Sequence, residues 1–147
     1  MAALVDDVFS DPDSEFGRRV RARLRDERLA WLTTVGADGT PQPNPVWFLW
    51  AEPAAVLVYN MSSAARLAHI AGNPRVSLHL DGDGQGGDIV VLTGRAEVAP
   101  HLPPPHEHPE YLAKYGDAMA RVRGSREAFS TVYSVAVILH VERVRGH

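Results

Sequence analysis

The sequence predicts a mainly β domain with peripheral helices, in which six antiparallel strands form one small barrel. Three observations favour this fold. The 147 residues, 45% of them hydrophobic, are enough for one core, so we expect a single domain over residues 1–147. Strand-like and helix-like segments follow one another in the order β-β-β-α-β-β-α-β. The turns between the strands are mostly too short for parallel crossovers, which favours an antiparallel barrel with helices packed outside.

The first predicted element is an amphipathic helix over residues 11–28. Asp11-Pro12 is a typical helix start, and Phe16, Val20 and Leu24 recur at the spacing of one buried stripe. The arginines of this segment alternate with acidic residues, which favours a solvated face over an anion-binding one.

A β-hairpin is predicted over residues 29–50. Its turn is Ala-Asp-Gly at 37–39, and Asp-Gly between two apolar runs is a strong hairpin signal. Pro41, Pro43 and Pro45 alternate along the second strand, so one side of it lacks three N–H donors. That side is predicted to be a sheet edge, or to face something other than a strand.

The third strand, residues 54–60, leads into a short helix. Ser62 and Ser63 can cap its start, and Gly-Asn-Pro at 72–74 ends it. The next strand, 75–81, alternates apolar and polar residues and is expected to be half exposed.

The strand at 88–98 is predicted to be central, because part of it is apolar on both faces. Gly94 within it suits a β-bulge. A proline-rich connector at 101–110 precedes one or two helices divided by Gly124, and a strand at 133–144 completes the six.

Charge and composition exclude several function classes. The formal net charge of −3 provides no global attraction for nucleic acid or for an anionic membrane. Without cysteine the chain has no disulfide, no thiolate metal site and no cysteine nucleophile. The first residues lack a basic, apolar leader and no apolar run reaches membrane length, so we expect a cytoplasmic protein.

The usual catalytic and nucleotide-binding motifs are missing. There is no G-x-S-x-G elbow, no phosphate-binding P-loop and no dinucleotide-binding G-x-G-x-x-G. His106-Glu107-His108 invites a metal site, but a proline-rich loop without further ligands at fixed spacing is better explained as a solvated connector. We therefore predict no metal site.

Residues 62–66 form a candidate phosphate-binding site. A helix N-terminus presents free N–H groups and a partial positive charge, and Ser62 and Ser63 add hydroxyl donors there. Arg66 lies within the first turn and can direct its guanidinium back to the same anion. Serine-capped helices with a nearby arginine are also common without any ligand, so the spacing alone leaves this site open.

The order LAWLTTVGADGTPQPNPVWFLW, then VLVYNMSSAARLAHIAGNPRVSLHL, resembles the pyridoxamine-phosphate-oxidase-like split-barrel family over residues 29–99. The matching features are the DG turn, the N-P-V-W-F strand end, the serine loop followed by a basic residue, and N-P-R-V. The closing VERVRGH is similar to the ending common in the deazaflavin-dependent branch. The resemblance implies a split-barrel homodimer with two cofactor sites at the subunit interface, the phosphate after the third strand and the ring over the second.

Three positions bear on which cofactor the resemblance implies. Arg66 takes the place of the usual phosphate-binding lysine, which keeps the charge and adds bidentate capacity. Ala64 stands where many relatives carry a polar or basic residue. Asn44 stands where the FMN-using oxidases carry arginine. Both differences favour coenzyme F420 over FMN.

The resemblance thus implies a cofactor site made of Gln42, Asn44, Pro45, Val46, Trp47, Tyr59, Asn60, Ser62, Ser63 and Arg66. Backbone N–H groups of residues 44–47 are expected to polarise the ring carbonyls. Trp47 or Tyr59 is expected either to cover a ring face or to fill the core. No catalytic acid or base is predicted, because such a cofactor brings the hydride chemistry itself.

The function implied is an F420-dependent oxidoreductase that moves a hydride between reduced deazaflavin and a small conjugated or electron-poor substrate. One alternative is an FMN-dependent oxidase or reductase. The other is a protein that binds a flavin, F420, haem or another tetrapyrrole without turnover.

Overall fold

The computed structural model describes residues 2–4 and 14–147, which contain eight strands and four α-helices. In chain order these are β1 (Ala2–Leu4), α1 (Glu15–Asp26), β2 (Ala30–Val35), β3 (Pro41–Val46), β4 (Leu49–Ala51), β5 (Ala55–Asn60), α2 (Ala65–Gly72), β6 (Arg75–His79), β7 (Val90–Val98), a 3-10 helix (Pro105–Glu107), α3 (Pro109–Arg123), α4 (Arg126–Val132) and β8 (Val135–Gly146). The prediction of six strands was wrong in two places. β1 was missed, and the predicted second strand is divided into β3 and β4.

The strands form one antiparallel sheet in the order β3-β2-β6-β7-β8-β5-β4, with β1 paired to β8. β3 and β4 lie at opposite edges, although only Trp47 and Phe48 separate them in the chain. Two residues can bridge at most about 11 Å between the strand ends. The sheet must therefore curl until its edges nearly meet, which makes a half-barrel consistent with a split barrel.

The connection between β3 and β4 is held by helix α3. The Phe48 N–H donates to the Tyr115 hydroxyl at 3.0 Å, and the Phe48 carbonyl accepts from Lys114 Nζ at 2.8 Å. Phe48 is fully buried, so its backbone groups need partners inside the protein once they leave the strand ladder. The predicted hairpin over 29–50 therefore ends at Val46, and residues 49–51 join the far edge of the sheet.

The edge position of β3 is confirmed, since within the described residues it pairs with β2 alone. Pro41, Pro43 and Pro45 lie opposite Val35, Thr33 and Trp31. Because prolines cannot donate, the N–H groups used in the ladder are those of the residues between them. The outer side of the strand presents carbonyl groups and no N–H donors.

Several local predictions are confirmed. The turn at 37–39 joins β2 and β3, β7 lies at the centre of the sheet, and Gly124 separates α3 from α4 with a φ of 87°. A register shift between Thr93 and Gly94 marks the predicted bulge. A Cβ on Gly94 would lie 1.9 Å from the carbonyl oxygen of His140, so only glycine fits there.

Helix α1 begins at Glu15, where the Ser14 side chain accepts the N–H of Gly17 at 3.2 Å. The predicted start at Asp11-Pro12 lies outside the described residues. The solvated arginine face was wrong for Arg23, whose side chain is 13% exposed and pairs with Glu27 at 2.8 Å. Arg23 also donates to backbone carbonyls that flank the loop between β6 and β7, and so fastens α1 to the barrel.

Two hydrophobic clusters support the fold. The first fills the barrel interior with inward-facing residues such as Leu32, Leu78 and Leu92. The second lies between the opposite face of β5 and helices α3 and α4, and it is rich in aromatic rings. No helix in the described part of the chain is long and apolar enough to cross a membrane. The second cluster forms one wall of the site described next.

Candidate functional site

A cavity of about 590 Å³ lies where the second cluster meets the start of α2. Its lining comes from both halves of the chain: Leu29, Pro45, Val46, Trp47, Tyr59, Met61, Ala64 and Arg66 from the first half, and Tyr111, Val122, Arg123, Phe129 and Tyr133 from the second. Among the described residues, the lining contains no acidic side chain. Five of the predicted site residues are among these. The walls are apolar and aromatic, and the charged groups are two arginines.

Arg66 is positioned by a buried amide. Its Nε donates to Asn60 Oδ1. Asn60 is fully buried, and its Nδ2 donates to the carbonyls of Val58 at 3.0 Å and Val135 at 3.1 Å. Because Nδ2 is committed to two strands, the amide cannot flip, and Oδ1 is held towards Arg66. Asn60 thus does not line the cavity but orients the side chain that does.

The electrostatics of Arg66 favour an anion. Burial lowers the pKa of its guanidinium, while the nearby Tyr133 opposes this shift. Among the described residues, no carboxylate lies within 4.0 Å of Arg66 to form an ion pair. A half-buried cation without a counter-ion is costly, and an anionic ligand in the cavity would offset that cost.

The predicted serine cap is wrong. The N-cap of α2 is Ala64, which makes no side-chain hydrogen bond, while Ser62 and Ser63 lie exposed in the preceding turn and outside the cavity lining. The first N–H groups of the helix therefore have no side-chain acceptor. They lie at the cavity beside Ala64 and Arg66, and they add a partial positive charge to it.

The predicted β3 residues divide into two groups. Pro45 and Val46 line the cavity, whereas Gln42 and Asn44 are exposed on the edge strand and do not. The expectation that N–H groups of residues 44–47 face a ring is largely wrong. Those of Asn44 and Val46 are directed at β2 and Pro45 has none, so only the N–H of Trp47 remains outside the strand pairing.

Trp47 packs against two aromatic rings. Its ring stacks on Tyr115 at 4.7 Å between centroids and on Phe129 at 5.4 Å, with interplanar angles of 2° and 12°. Of the two roles expected for Trp47, the structure supports core packing, with the indole forming a wall of the cavity.

Tyr59 is similarly constrained. Its hydroxyl donates to the carbonyl of Pro103, and its ring meets Tyr111 edge to face at 4.8 Å. Burial raises the pKa of Tyr59 to about 12, so the phenol stays protonated at neutral pH. Tyr59 contributes shape and an apolar surface to the cavity, and its proton is committed to the backbone.

The second half of the lining was not predicted. Tyr111, Val122, Arg123, Phe129 and Tyr133 belong to α3, α4 and the turn that follows. The sequence carries a weak signal for them, since aromatic residues recur in both helices. Helical aromatics usually fill cores, however, and nothing in the pattern indicates that these residues face β3 and α2.

The histidine-rich loop has a structural role. The His108 side chain accepts the N–H of Tyr111 at 3.3 Å and so caps α3. The His108 side chain is only 14% exposed, whereas the sequence analysis expected this loop to be a solvated connector. Across residues 14–147 and the short β1 segment, no group of three or more potential ligands lies close enough to hold a metal ion.

Comparison with known proteins places this geometry in context. The sequence profile of the pyridoxamine 5'-phosphate oxidase family matches residues 16–146. No curated protein matches the chain by sequence. The profile thus covers every element from α1 to β8.

Solved structures share the fold at low identity. A candidate pyridoxamine 5'-phosphate oxidase from Listeria innocua has a TM-score of 0.64 and 17% identity, over 87% of this chain and 94% of its own. General stress protein 26 of Bacillus anthracis also reaches 0.64 at 17% identity, over 86% and 89%. An F420 reductase reaches 0.58 at 19% identity, over 85% and 94%. Similarity at this level establishes the architecture.

Proposed function

Because the chain belongs to the pyridoxamine 5'-phosphate oxidase family, we propose that it binds a flavin-type cofactor in the cavity around Arg66 and acts as an F420-dependent oxidoreductase. One observation carries this proposal. Among the residues that the structure describes, a desolvated arginine without a carboxylate partner lies in a cavity with aromatic walls and no acidic lining residue. Such a site suits a flat ligand that carries a phosphoryl group.

The residues present fit such a cofactor. A volume of about 590 Å³ lies in the range of small-molecule sites. Arg66 and the uncapped start of α2 would hold the phosphate, while Pro45, Val46 and Met61 offer apolar contact to a ring. When bound, a deazaflavin or flavin supplies the hydride-transferring ring. The protein's part is to bind it, orient it and exclude water from the apolar cavity.

Coenzyme F420 is favoured over FMN on three grounds. Asn44 and Ala64 stand where FMN-using relatives carry polar or basic groups. The structure adds that Ala64 is the N-cap of α2 and provides no hydroxyl there. One protein of similar fold is an F420 reductase. FMN remains the alternative cofactor, and a small conjugated or electron-poor molecule is the proposed substrate.

We also propose that the protein is a cytoplasmic homodimer with the cofactor at the subunit interface. All of residues 41–45 in β3 are exposed, and the outer carbonyl groups of this edge strand have no strand partner in the described chain. The cavity opens beside the same strand through Pro45. A second copy placed against β3 would cover that edge and close the cavity. Sedimentation equilibrium of the purified protein tests this, and a monomer at micromolar concentration would contradict it.

Cofactor titrations test the main proposal. Tryptophan fluorescence is a suitable signal because Trp47 forms a wall of the cavity. We expect saturable binding of F420 and weaker binding of FMN. Arg66→Gln is expected to weaken F420 binding by about 1.5–3 kcal/mol, the range for a hydrogen bond to a charged group. The exposed Arg121→Gln in α3 is the matched control and is expected to bind like the wild type.

Two results would change this assignment. Sub-micromolar saturation by FMN together with no response to F420 would reverse the order of the cofactors. If the wild type and Arg66→Gln bind F420 with equal affinity and also bind FMN with equal affinity, the assignment of Arg66 to the phosphate-binding site is wrong.

A carrier without turnover is a second candidate. It is favoured by the cavity lining, which within residues 14–147 contains no carboxylate, histidine or lysine that could move a proton. Following the absorbance of reduced F420 upon adding quinones, enones or biliverdin separates the two functions. Oxidation of F420 that depends on the protein supports an oxidoreductase, and tight binding with no oxidation across that panel supports a carrier.

A further inference from the structure

We propose that Arg123 and Tyr133 complete the anion site of the cavity, so that the ligand's phosphoryl group is held between two guanidiniums, one from each half of the chain. This inference rests on the proposed function, because it concerns the same cavity. It goes further in naming the residues that select a phosphorylated ligand over its phosphate-free form. Neither Arg123 nor Tyr133 belongs to the segment 42–66 in which the sequence placed the cofactor.

The helix hairpin brings Arg123 and Tyr133 together. Arg123 is the last residue of α3, and Gly124, with a φ of 87°, reverses the chain into α4. Tyr133 follows the end of α4, where its hydroxyl lies 3.4 Å from Arg123 Nη2. The Arg123 guanidinium also lies 5.5 Å from the centroid of the Tyr133 ring. These contacts hold the exposed arginine at the rim of the cavity that both residues line.

Tyr133 also lies near Arg66. Both side chains line the cavity, and Tyr133 opposes the fall in the Arg66 pKa that burial causes. Tyr133 thus lines the same cavity as Arg66 and contacts Arg123 directly. The first arginine is oriented by Asn60 at the end of β5, and the second by a helix hairpin far along the chain.

The charges of this arrangement are unbalanced. Neither Arg66 nor Arg123 has a carboxylate within 4.0 Å in the described part of the chain, and the cavity lining has no acidic residue. Both cations line one cavity, and burial desolvates Arg66. An anion bound in the cavity would offset this imbalance, and arginine forks match the oxygens of a phosphoryl group in geometry.

The alternative is that Arg123 only packs on Tyr133. A cation–π contact at a surface stabilises a protein weakly and requires no ligand. The two explanations differ in what the loss of the Arg123 charge does. A packing role predicts no change in ligand affinity, whereas a binding role predicts a loss confined to phosphorylated ligands.

The experiment compares ligand pairs that differ in the phosphate. FMN is measured against riboflavin, and F420 against its deazaflavin core without the phosphate-bearing tail. The variants are Arg123→Gln, Arg123→Lys and Arg66→Gln, with Arg121→Gln as control. For phosphorylated ligands, Arg123→Gln is expected to raise Kd roughly 10- to 100-fold, the range for one charged hydrogen bond. Arg123→Lys is expected to recover part of this loss, and riboflavin affinity is expected to stay within two-fold.

A double-mutant comparison makes the test sharper. If both arginines hold one phosphoryl group, their effects on affinity are coupled. The fold-loss of affinity in the combined Arg66→Gln and Arg123→Gln variant is then expected to differ from the product of the two single fold-losses. Independent effects that multiply would overturn the shared site.

The failures are distinguishable. If Arg66→Gln weakens FMN or F420 binding while Arg123→Gln leaves Kd within two-fold of the wild type, this inference is wrong and the proposed function stands. If Arg123→Gln raises only the KM of an anionic electron acceptor, the second arginine serves the substrate and the shared site is also wrong. If the wild type binds neither cofactor, the proposed function and this inference are both wrong.

Discussion

The hydroxyl of Tyr115 is predicted to hold the half-barrel together at the connection between β3 and β4. It accepts the N–H of Phe48 at 3.0 Å and donates to the carbonyl of Arg28 at 2.7 Å. Tyr115 and Phe48 are both fully buried. Replacing Tyr115 with phenylalanine keeps the ring against Trp47 and removes these two hydrogen bonds, together with the 3.0 Å contact between the hydroxyl and the Phe48 carbonyl.

The expected loss follows from which groups are left unpaired. The Phe48 N–H loses its acceptor in a buried position, which costs about 1–3 kcal/mol. The Phe48 carbonyl keeps Lys114, and the carbonyl of the exposed Arg28 can turn to water. We therefore expect Tyr115→Phe to lower the free energy of unfolding by about 2 kcal/mol. For a chain of this size this corresponds to a fall in Tm of roughly 4–8 °C.

Urea unfolding followed by far-UV circular dichroism measures this loss, with Tyr133→Phe as the matched control. The Tyr133 hydroxyl makes only a 3.4 Å contact with the exposed Arg123, so its removal is expected to change stability by less than about 0.5 kcal/mol. A loss for Tyr115→Phe no larger than that of the control would refute the reasoning. It would mean that the Phe48 N–H finds another acceptor or is not isolated from water.

Two further predictions concern stability. Gly94→Ala is expected to cost more than about 3 kcal/mol, because its Cβ would lie 1.9 Å from the carbonyl oxygen of His140, while Gly72→Ala, with no atom within 4 Å, is expected to be nearly neutral in the same denaturation assay. Burial lowers the pKa of Lys114 to about 8 from 10.5, so between pH 8 and 9.5 the unfolded chain holds a proton that the folded chain releases. Wild-type stability should therefore rise over this window relative to Lys114→Met, by about 1 kcal/mol after allowing for partial solvent contact. A constant difference between the two proteins across that window would contradict the lowered pKa.

Local features of the fold could be predicted from the sequence because neighbouring residues decide them. The Asp38-Gly39 turn sets the first hairpin, and the alternating prolines require β3 to be an edge strand. Gly94 marks the bulge, and alternation along β6 separates its buried from its half-buried face. Each of these depends on backbone freedom, on a missing donor or on a short-range period. For the same reason the sequence could identify Arg66 as a charged group at the start of a helix.

The site's other half depends on contacts between distant residues. The second strand divides at Phe48 because Lys114 and Tyr115 satisfy its backbone from a helix 66 and 67 residues further on. Trp47 stacks on rings from α3 and α4.

Arg123 and Tyr133 reach the cavity only because the helix hairpin packs against the outer face of β5. A short-range pattern can specify a turn, an edge or a bulge, since those follow from the chemistry of a few adjacent residues. It cannot specify which surfaces meet after folding. The sequence by itself therefore determined the first hairpin turn, the edge strand, the bulge and the position of Arg66 at the start of a helix. The tertiary packing determined the cavity, its aromatic walls and the presence of Arg123 in its lining.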